Sequence, residues 1–167
     1  MSCLGVLFSL DKEAVDKLKS FASDEDKLDY LQTEIEEEYF NKYPDKIYEL
    51  DKSWDAIHRT LTDGKLEWNN GDYPLNHIIL GGDILYSQQD YIMTLKTPDQ
   101  VKDILKSFDL VTKETFKSKY FKIDKALYGF ETTEEDFDYT WTWFSQSRDF
   151  WTKATEENRY VLFTADQ

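Results

Sequence analysis

The chain has 167 residues, the length of one domain that can bury a core without disulfides or a structural metal. Its 34 Asp and Glu outnumber its 20 Lys and Arg, giving a net charge of −14. This charge argues against nucleic-acid phosphates and anionic membrane surfaces as partners. Cys3 is the only cysteine and the N-terminus lacks a signal-peptide pattern, so we expect a cytoplasmic protein.

The first quarter of the sequence predicts a strand followed by two helices. Residues 3–10 form an apolar run of strand length. Asp11 is expected to cap the first helix and Ser23 the second. The second helix has an apolar face made of Leu28, Leu31, Ile35 and Tyr39. Its acidic residues Glu36, Glu37 and Glu38 are expected to spread over the solvated side.

The second quarter predicts shorter elements. Residues 47–50 are a candidate strand, and Asp51 is expected to cap the helix that begins near Trp54. The segment 74–82, PLNHIILGG, starts with proline and ends with two glycines, which favours a short helix. A further strand is predicted over 91–96, YIMTLK.

The second half begins with a strong helix signature. Thr97 is the expected cap, Pro98 the first helical residue, and Gln100 completes a capping box. The buried stripe of this helix is predicted to consist of Val101, Ile104, Leu105 and Phe108. The next helix, from about Thr112, is expected to bury Phe116 and Tyr120.

The last element pair is a long helix and a strand. A capping box of Thr132 and Glu135 predicts a helix that continues to about residue 158, followed by the strand RYVLFT. Strands thus lie at both ends and in the middle, without regular alternation with helices. This order predicts an α+β fold, with several helices packed on a small sheet that includes both terminal strands, in a single domain over residues 1–167.

Several blocks occur in an order that resembles the YfbM-like family, a bacterial domain of unknown function. They are LGVLFSLD, WDAIHRTLTDG, PLNHIILGG, the strand and helix that end in SKYF, and the closing helix and strand. The resemblance covers nearly the whole chain and implies a small cytoplasmic α+β domain. It implies no reaction, cofactor or catalytic residue.

One group of residues suggests catalysis. Asp55 and His58 are three residues apart on a predicted helix, so the carboxylate could orient the imidazole as a base or metal ligand. His77 would have to fold back to complete such a site. The alternative is structural: Asp55 favours the helix N-terminus and His58 is a hydrogen-bonded, partly buried side chain. With two His and one Cys in the chain, we expect no bound metal and no cofactor.

A second group suggests binding. The segment DFDYTWTWFSQSRDFW is rich in aromatic residues interrupted by small polar ones, a composition that suits a core or a protein-binding groove. The candidate binding residues are Glu36, Glu37, Trp54, Trp143 and Arg148.

These patterns lead to three functional hypotheses. The leading one is a non-enzymatic, acidic domain that binds a basic protein partner, as accessory or immunity proteins do. The alternatives are a small hydrolase or metal-dependent enzyme that uses Asp55, His58 and His77, and a ligand sensor built around the aromatic helix. The sequence leaves the partner, the substrate and the oligomeric state open, and the acidity alone also fits a merely solubilising role.

Overall fold

A single antiparallel sheet organises the fold, and the first and last strands lie side by side at its centre. The computed structural model describes residues 3–167, and within them the sheet has five strands in the order β2–β1–β5–β4–β3. The strands are β1 (Gly5–Leu10), β2 (Ile47–Asp51), β3 (Asp83–Ile84), β4 (Tyr91–Lys96) and β5 (Tyr160–Asp166). All neighbouring pairs are antiparallel. The predicted α+β class, with both terminal strands in the sheet, is therefore confirmed.

Helices cover both faces of this sheet. They are α1 (Lys12–Ser20), α2 (Asp24–Tyr30), α3 (Glu37–Lys42), α4 (Trp54–Leu61), α5 (Pro98–Ser107), α6 (Lys113–Tyr120), α7 (Lys125–Tyr128), α8 (Glu134–Gln146) and α9 (Arg148–Glu156). A π-helical segment, Leu31–Glu36, joins α2 to α3 without a break. Short 3₁₀ turns occupy Pro44–Lys46, Leu75–His77 and Phe108–Leu110.

Strand alternation separates two cores. On β1, Leu7 contributes to one face and Phe8 to the other, because successive side chains point to opposite sides of a sheet. The Leu7 side packs against α4, α5, α6, α8 and α9, and the Phe8 side packs against α1, α2 and α3. Each face of the sheet therefore has its own helical layer, and the edge beside β2 lies between the two layers.

The predicted helix caps are largely confirmed. The Asp11 carboxylate accepts the Ala14 N–H at 2.8 Å, and the Ser23 hydroxyl caps α2. Thr97 and Gln100 form the reciprocal capping box of α5. In the predicted stripe of that helix, Val101, Ile104 and Phe108 are buried, whereas Leu105 is partly buried against the same core. These ends are set by local side-chain chemistry, which is why the sequence reveals them.

Two predicted helix boundaries are wrong. Asp51 does not cap α4: it ends β2 with φ of 51°, and its carboxylate accepts the Tyr139 hydroxyl at 2.7 Å. The long C-terminal helix begins after Thr133 rather than Thr132 and is broken at Ser147. The Ser147 hydroxyl donates to the Phe144 carbonyl at 2.6 Å, and such side-chain bonds compete with the helical ladder.

One further prediction is confirmed and another needs correction. The segment 74–82 contains the predicted short helix, a 3₁₀ turn over Leu75–His77 in which the His77 N–H donates to the Pro74 carbonyl at 2.9 Å. Glu36 does not lie on the solvated side of its helix, although Glu37 and Glu38 do. The Tyr91 hydroxyl of β4 donates to Glu36 Oε1 at 3.3 Å, so this carboxylate points toward the sheet.

Candidate functional site

Asp55 and His58, which the sequence suggested as a catalytic pair, each bond to a different partner rather than to each other. The Asp55 carboxylate forms a salt bridge with Arg59, one turn further along α4. His58 is 1 % exposed, and its Nε2 lies 2.8 Å from Asn70 Oδ1 and 3.0 Å from the Glu67 carbonyl oxygen. Both neighbours are acceptors, so Nε2 carries the proton and donates to them.

The environment of His58 is that of a structural histidine. Burial lowers the pKa of its imidazole, which favours the neutral form. Asn70 extends the network, because its Nδ2 donates to Asp63 Oδ1, to the Lys65 carbonyl and to Thr62 Oγ1. The imidazole thus holds one end of the loop between α4 and the 3₁₀ turn at Leu75.

His77 has partners of its own. Its Nδ1 lies 2.8 Å from Asn76 Oδ1, and its ring packs edge-on against Tyr73 with centroids 4.9 Å apart. Burial lowers its pKa as well. Among residues 3–167, no group of three or more His, Cys, Asp or Glu side chains is arranged to hold a metal ion.

A buried lysine that sequence reasoning missed lies near both imidazoles. Lys96, the last residue of β4, is 0 % exposed. Its Nζ donates to the Ile79 carbonyl and, at 2.7 Å, to Thr94 Oγ1, and it lies 5.4 Å from the centre of the Phe163 ring. Burial without a carboxylate partner lowers the pKa of this amine well below its usual value of 10.5. Its enclosure argues against direct contact with a ligand.

A cavity of about 530 Å³ opens at the edge of the sheet where the chain passes from the π-helical segment to α3, and it is here called the acidic groove. Its floor is formed by ends of β1, β2, β4 and β5, and its walls by the π-helical segment, α3 and α8. The acidic groove is lined by Leu4, Gly5, Val6, Gln32, Glu36, Phe40, Glu49, Asp51, Tyr91, Trp143, Thr164 and Asp166. Four of these residues are acidic, and none is basic.

Strands β2 and β5 supply three of the four carboxylates of the acidic groove. Glu49 precedes the buried Leu50 on β2, so its side chain leaves the sheet on the groove side. Asp166 ends β5, and its carboxylate accepts the Leu4 N–H at 3.1 Å. Asp51 is fixed by the Tyr139 hydroxyl, whose pKa rises to about 12 through burial and this bond.

Glu36 is the acidic residue of the groove whose protonation is most affected by the fold. Burial raises the pKa of its carboxyl group, and the Tyr91 hydroxyl, which donates to Oε1 at 3.3 Å, partly opposes this effect. The Tyr91 pKa is also raised, first by burial and then by the nearby Glu36 charge. These two groups meet because the π-helical segment lies across β4.

Aromatic side chains complete the walls. Trp143 of α8 is half-buried and packs edge-on against Tyr48 and Tyr139, with centroid distances of 6.2 and 6.3 Å. Phe40 of α3 is 44 % exposed on the opposite side. The acidic groove therefore combines carboxylates with ring faces, which is the composition that binds organic cations.

The structure brings together two of the five predicted binding residues. Glu36 and Trp143 line the acidic groove. Glu37 is exposed on α3 outside it. Trp54 is 5 % exposed, with its Nε1 donating to the Cys3 carbonyl at 2.8 Å, so it belongs to the core. Arg148 forms an exposed salt bridge with Asp109.

The groove residues that sequence reasoning missed are Glu49, Asp51, Tyr91 and Asp166. Each lies in a predicted strand or next to one, so alternation could have put them on one face. Their meeting depends on strand order, which the sequence pattern does not encode. For Lys96, the available signal was a lysine at the end of the apolar run YIMTL.

Taken together, these elements define a single-domain α+β protein with an open acidic groove. None of the helices within residues 3–167 has both the length and the apolar character that crossing a bilayer requires.

Comparison with known proteins identifies the family. The model of the family described as a domain of unknown function (DUF1877) matches residues 1–164, and the chain belongs to this family. Among solved structures, the fold is similar to that of the protein of unknown function YfbM from Escherichia coli, with a TM-score of 0.68 and 14 % identity. The match covers 97 % of this chain and 99 % of that one. No curated protein matches the sequence.

Proposed function

We propose that this protein is a non-enzymatic binding domain whose acidic groove receives cationic side chains of a basic protein partner. The observation that carries the proposal is the set of carboxylates Glu36, Glu49 and Asp51 in one aromatic-walled cavity. In the part of the chain that the structure describes, none of these three forms a salt bridge.

Burial of Glu36 distinguishes recognition from mere solubility. A carboxylate that only keeps a protein soluble works best when fully hydrated, whereas desolvation raises the free energy of the charged form. Glu36 is partly desolvated, and its pKa is raised for that reason. A bound cation would compensate this penalty, since charge-assisted hydrogen bonds are among the stronger polar contacts in proteins.

The wider charge distribution supports the same partner class. The net charge of −14 attracts basic surfaces and accelerates their association at low salt. The aromatic walls at Phe40 and Trp143 would contact the alkyl stems of Lys or Arg and the face of a guanidinium. The single cysteine is consistent with a reducing compartment, so we place the protein in the cytoplasm.

The enzymatic and sensor alternatives receive less support. The side chains of Asp55, His58 and His77 each have a separate partner: Arg59, Asn70 and Asn76. The aromatic residues Phe137, Phe144 and Trp151 are at most 2 % exposed, which leaves them to the core rather than to a ligand.

Titration of the protein with a hexalysine peptide tests the proposal. Chemical shifts of ¹⁵N-labelled protein should change mainly at residues of the acidic groove. Glu36→Gln should weaken binding by about three- to tenfold, because one desolvated carboxylate is lost. Glu37→Gln, which removes the same charge one residue away but outside the groove, is the matched control and should have a smaller effect.

Salt and pH provide a second readout. Raising the salt concentration from 0.1 to 1 M shortens the Debye length from about 10 to about 3 Å and should slow association. Binding should also weaken as the pH falls through the raised pKa of Glu36, since the proton and the cation compete for the same carboxylate. Equal effects of the two substitutions, with shifts spread over all acidic surfaces, would refute a specific groove.

A further inference from the structure

We propose that the basic partner binds as an added strand on the free edge of β2, with alternate side chains entering the acidic groove. This inference rests on the proposed function and specifies how the partner is held. It predicts a ligand with an extended backbone and alternating basic and apolar residues.

The edge of β2 is open for pairing. β2 is the outermost strand of the sheet, and within residues 3–167 it pairs only with β1. The other edge strand, β3, has two residues, whereas β2 has five. The sequence of β2, IYELD, contains neither proline nor lysine, and its two charged residues, Glu49 and Asp51, disfavour an acidic added strand but not a basic one. An edge of this kind is a template for strand addition.

A second cavity, of about 300 Å³, lies at this edge and continues the acidic groove. It is lined by Phe40, Pro44, Ile47, Tyr48, Glu49 and Trp143. Phe40, Glu49 and Trp143 line both cavities. Because Ile47 and Tyr48 belong to opposite faces of β2, a cavity lined by both lies beside the strand edge, not over one face.

The two faces of β2 specify the sequence of an added strand. Glu49 faces the side of Glu36, so ligand residues on that side should be basic. Tyr48, on the other face, donates to the Trp143 carbonyl and packs against its ring, so the intervening ligand residues should be apolar. Strand periodicity then requires basic and apolar residues to alternate.

A second copy of this chain is a poor occupant of the edge. Pairing two β2 strands would bring Glu49 and Asp51 of both copies close together, and like charges across a strand pair are destabilising. Charge complementarity therefore favours a basic segment from a different protein.

The probe for this proposal is an acetylated and amidated octapeptide of alternating Lys and Val. Two isomers carry backbone N-methyl groups on every second amide, one on the odd and one on the even positions. Successive N–H groups of a strand point to opposite edges, so only one isomer keeps the donors that would face β2. We expect the two isomers to differ in affinity by about tenfold or more, since two or three hydrogen bonds are lost in one of them.

Controls separate this inference from the proposed function. A peptide of the same composition with its Lys residues in one block should bind more weakly, and amide shifts should be largest at residues 47–51. Equal affinity of the two N-methylated isomers, with Glu36→Gln still weakening both, would overturn strand addition but leave the acidic groove as a cation site. Absence of binding by every peptide would overturn both. Concentration-dependent dimerisation that the peptide disrupts would reassign the edge to a second copy and overturn the partner proposed here.

Discussion

Replacing Lys96 by methionine should stabilise the protein at neutral pH, although the substitution removes hydrogen bonds from the core. Lys96 is fully buried, and its partners are two oxygens without formal charge and one aromatic ring. Its pKa lies well below 10.5 because burial disfavours the charged amine. A neutral amine has two hydrogens, which matches the two acceptors, the Ile79 carbonyl and the Thr94 hydroxyl.

The size of the effect has an upper limit that follows from linkage. In the unfolded chain the amine is protonated below 10.5, and keeping it neutral in the fold at pH 7 costs at most the free energy of the interval between pH 7 and 10.5, about 5 kcal/mol. Against this, methionine leaves the Ile79 carbonyl without the lysine donor. The Thr94 hydroxyl still donates to that carbonyl at 3.2 Å, so this loss should be near the lower end of the usual ~1–3 kcal/mol. The balance predicts a net gain of at most about 4 kcal/mol.

The pH dependence has a definite sign. A base whose pKa is depressed in the folded state binds its proton more tightly in the unfolded chain, so wild-type stability rises with pH between the folded pKa and 10.5. The slope is at most ~1.36 kcal/mol per pH unit for this one proton. Below the folded pKa the penalty is constant. Lys96→Met should remove this slope and should gain less over wild type as the pH approaches 10.

Urea unfolding at pH 7, 8, 9 and 10 measures the prediction, with Lys106→Met as the control because Lys106 is exposed on α5. The difference between wild type and each variant isolates the substituted amine from the tyrosines that titrate in the same range. A loss of 2 kcal/mol or more in Lys96→Met at pH 7, or a pH-independent difference, would show that the amine is charged and well solvated by its partners, contrary to the reasoning above.

Three further predictions concern the groove and the core. Glu36→Gln should raise stability at pH 7 while it weakens binding. Because the carboxyl pKa is raised in the folded state, wild-type stability falls as the pH rises from 4.5 through the folded pKa, so the gain of the variant, measured by urea unfolding, should shrink as the pH falls toward 4.5. Asn70→Ala should lower the free energy of unfolding by about 2–4 kcal/mol, because Asn70 is buried and forms four side-chain hydrogen bonds. The control Asn69→Ala, at an exposed position, should lower it little, and comparable decreases in melting temperature for the two variants would contradict the prediction. Gly5→Ala should cost about 1–3 kcal/mol by chemical denaturation, since the added Cβ would lie 2.7 Å from Trp54 Cδ1; an unchanged midpoint would show that the indole can move.

Opposite effects of one substitution on stability and binding would be informative about the acidic groove. If the charge of Glu36 served only the fold, neutralising it should not stabilise the protein. If Glu36→Gln both stabilises the domain and weakens the probe, the desolvated carboxylate is retained for recognition, as expected where activity requires an unfavourable local environment.

Local chemistry in the sequence determined most of the element types. The side chains of Asp11, Ser23 and Thr97 cap the N-termini of their helices by accepting backbone N–H bonds from residues three positions further along. No tertiary information is therefore needed to predict where these helices begin. Apolar periodicity likewise revealed β1, β4 and β5, and with them the α+β class. Asp51 misled for the same reason: its residue type suits a cap, but the Tyr139 hydroxyl, 88 residues away in sequence, holds it at the end of β2.

Only the tertiary structure decided the candidate site. The acidic groove joins Glu36, Glu49 and Asp166, which are distant in sequence and meet because β1 and β5 pair at the centre of the sheet with β2 and β4 on either side. Within residues 3–167 the same strand order leaves the outer edge of β2 without a paired strand, and it places Tyr91 of β4 where its hydroxyl reaches Glu36. Burial of Lys96 has the same origin, because whether the end of a strand is solvated depends on what packs above it. Sequence periodicity shows which residues share a face of one helix or strand. Whether a side chain is exposed to water, and which distant side chains it contacts, depends on how all the helices and strands are arranged.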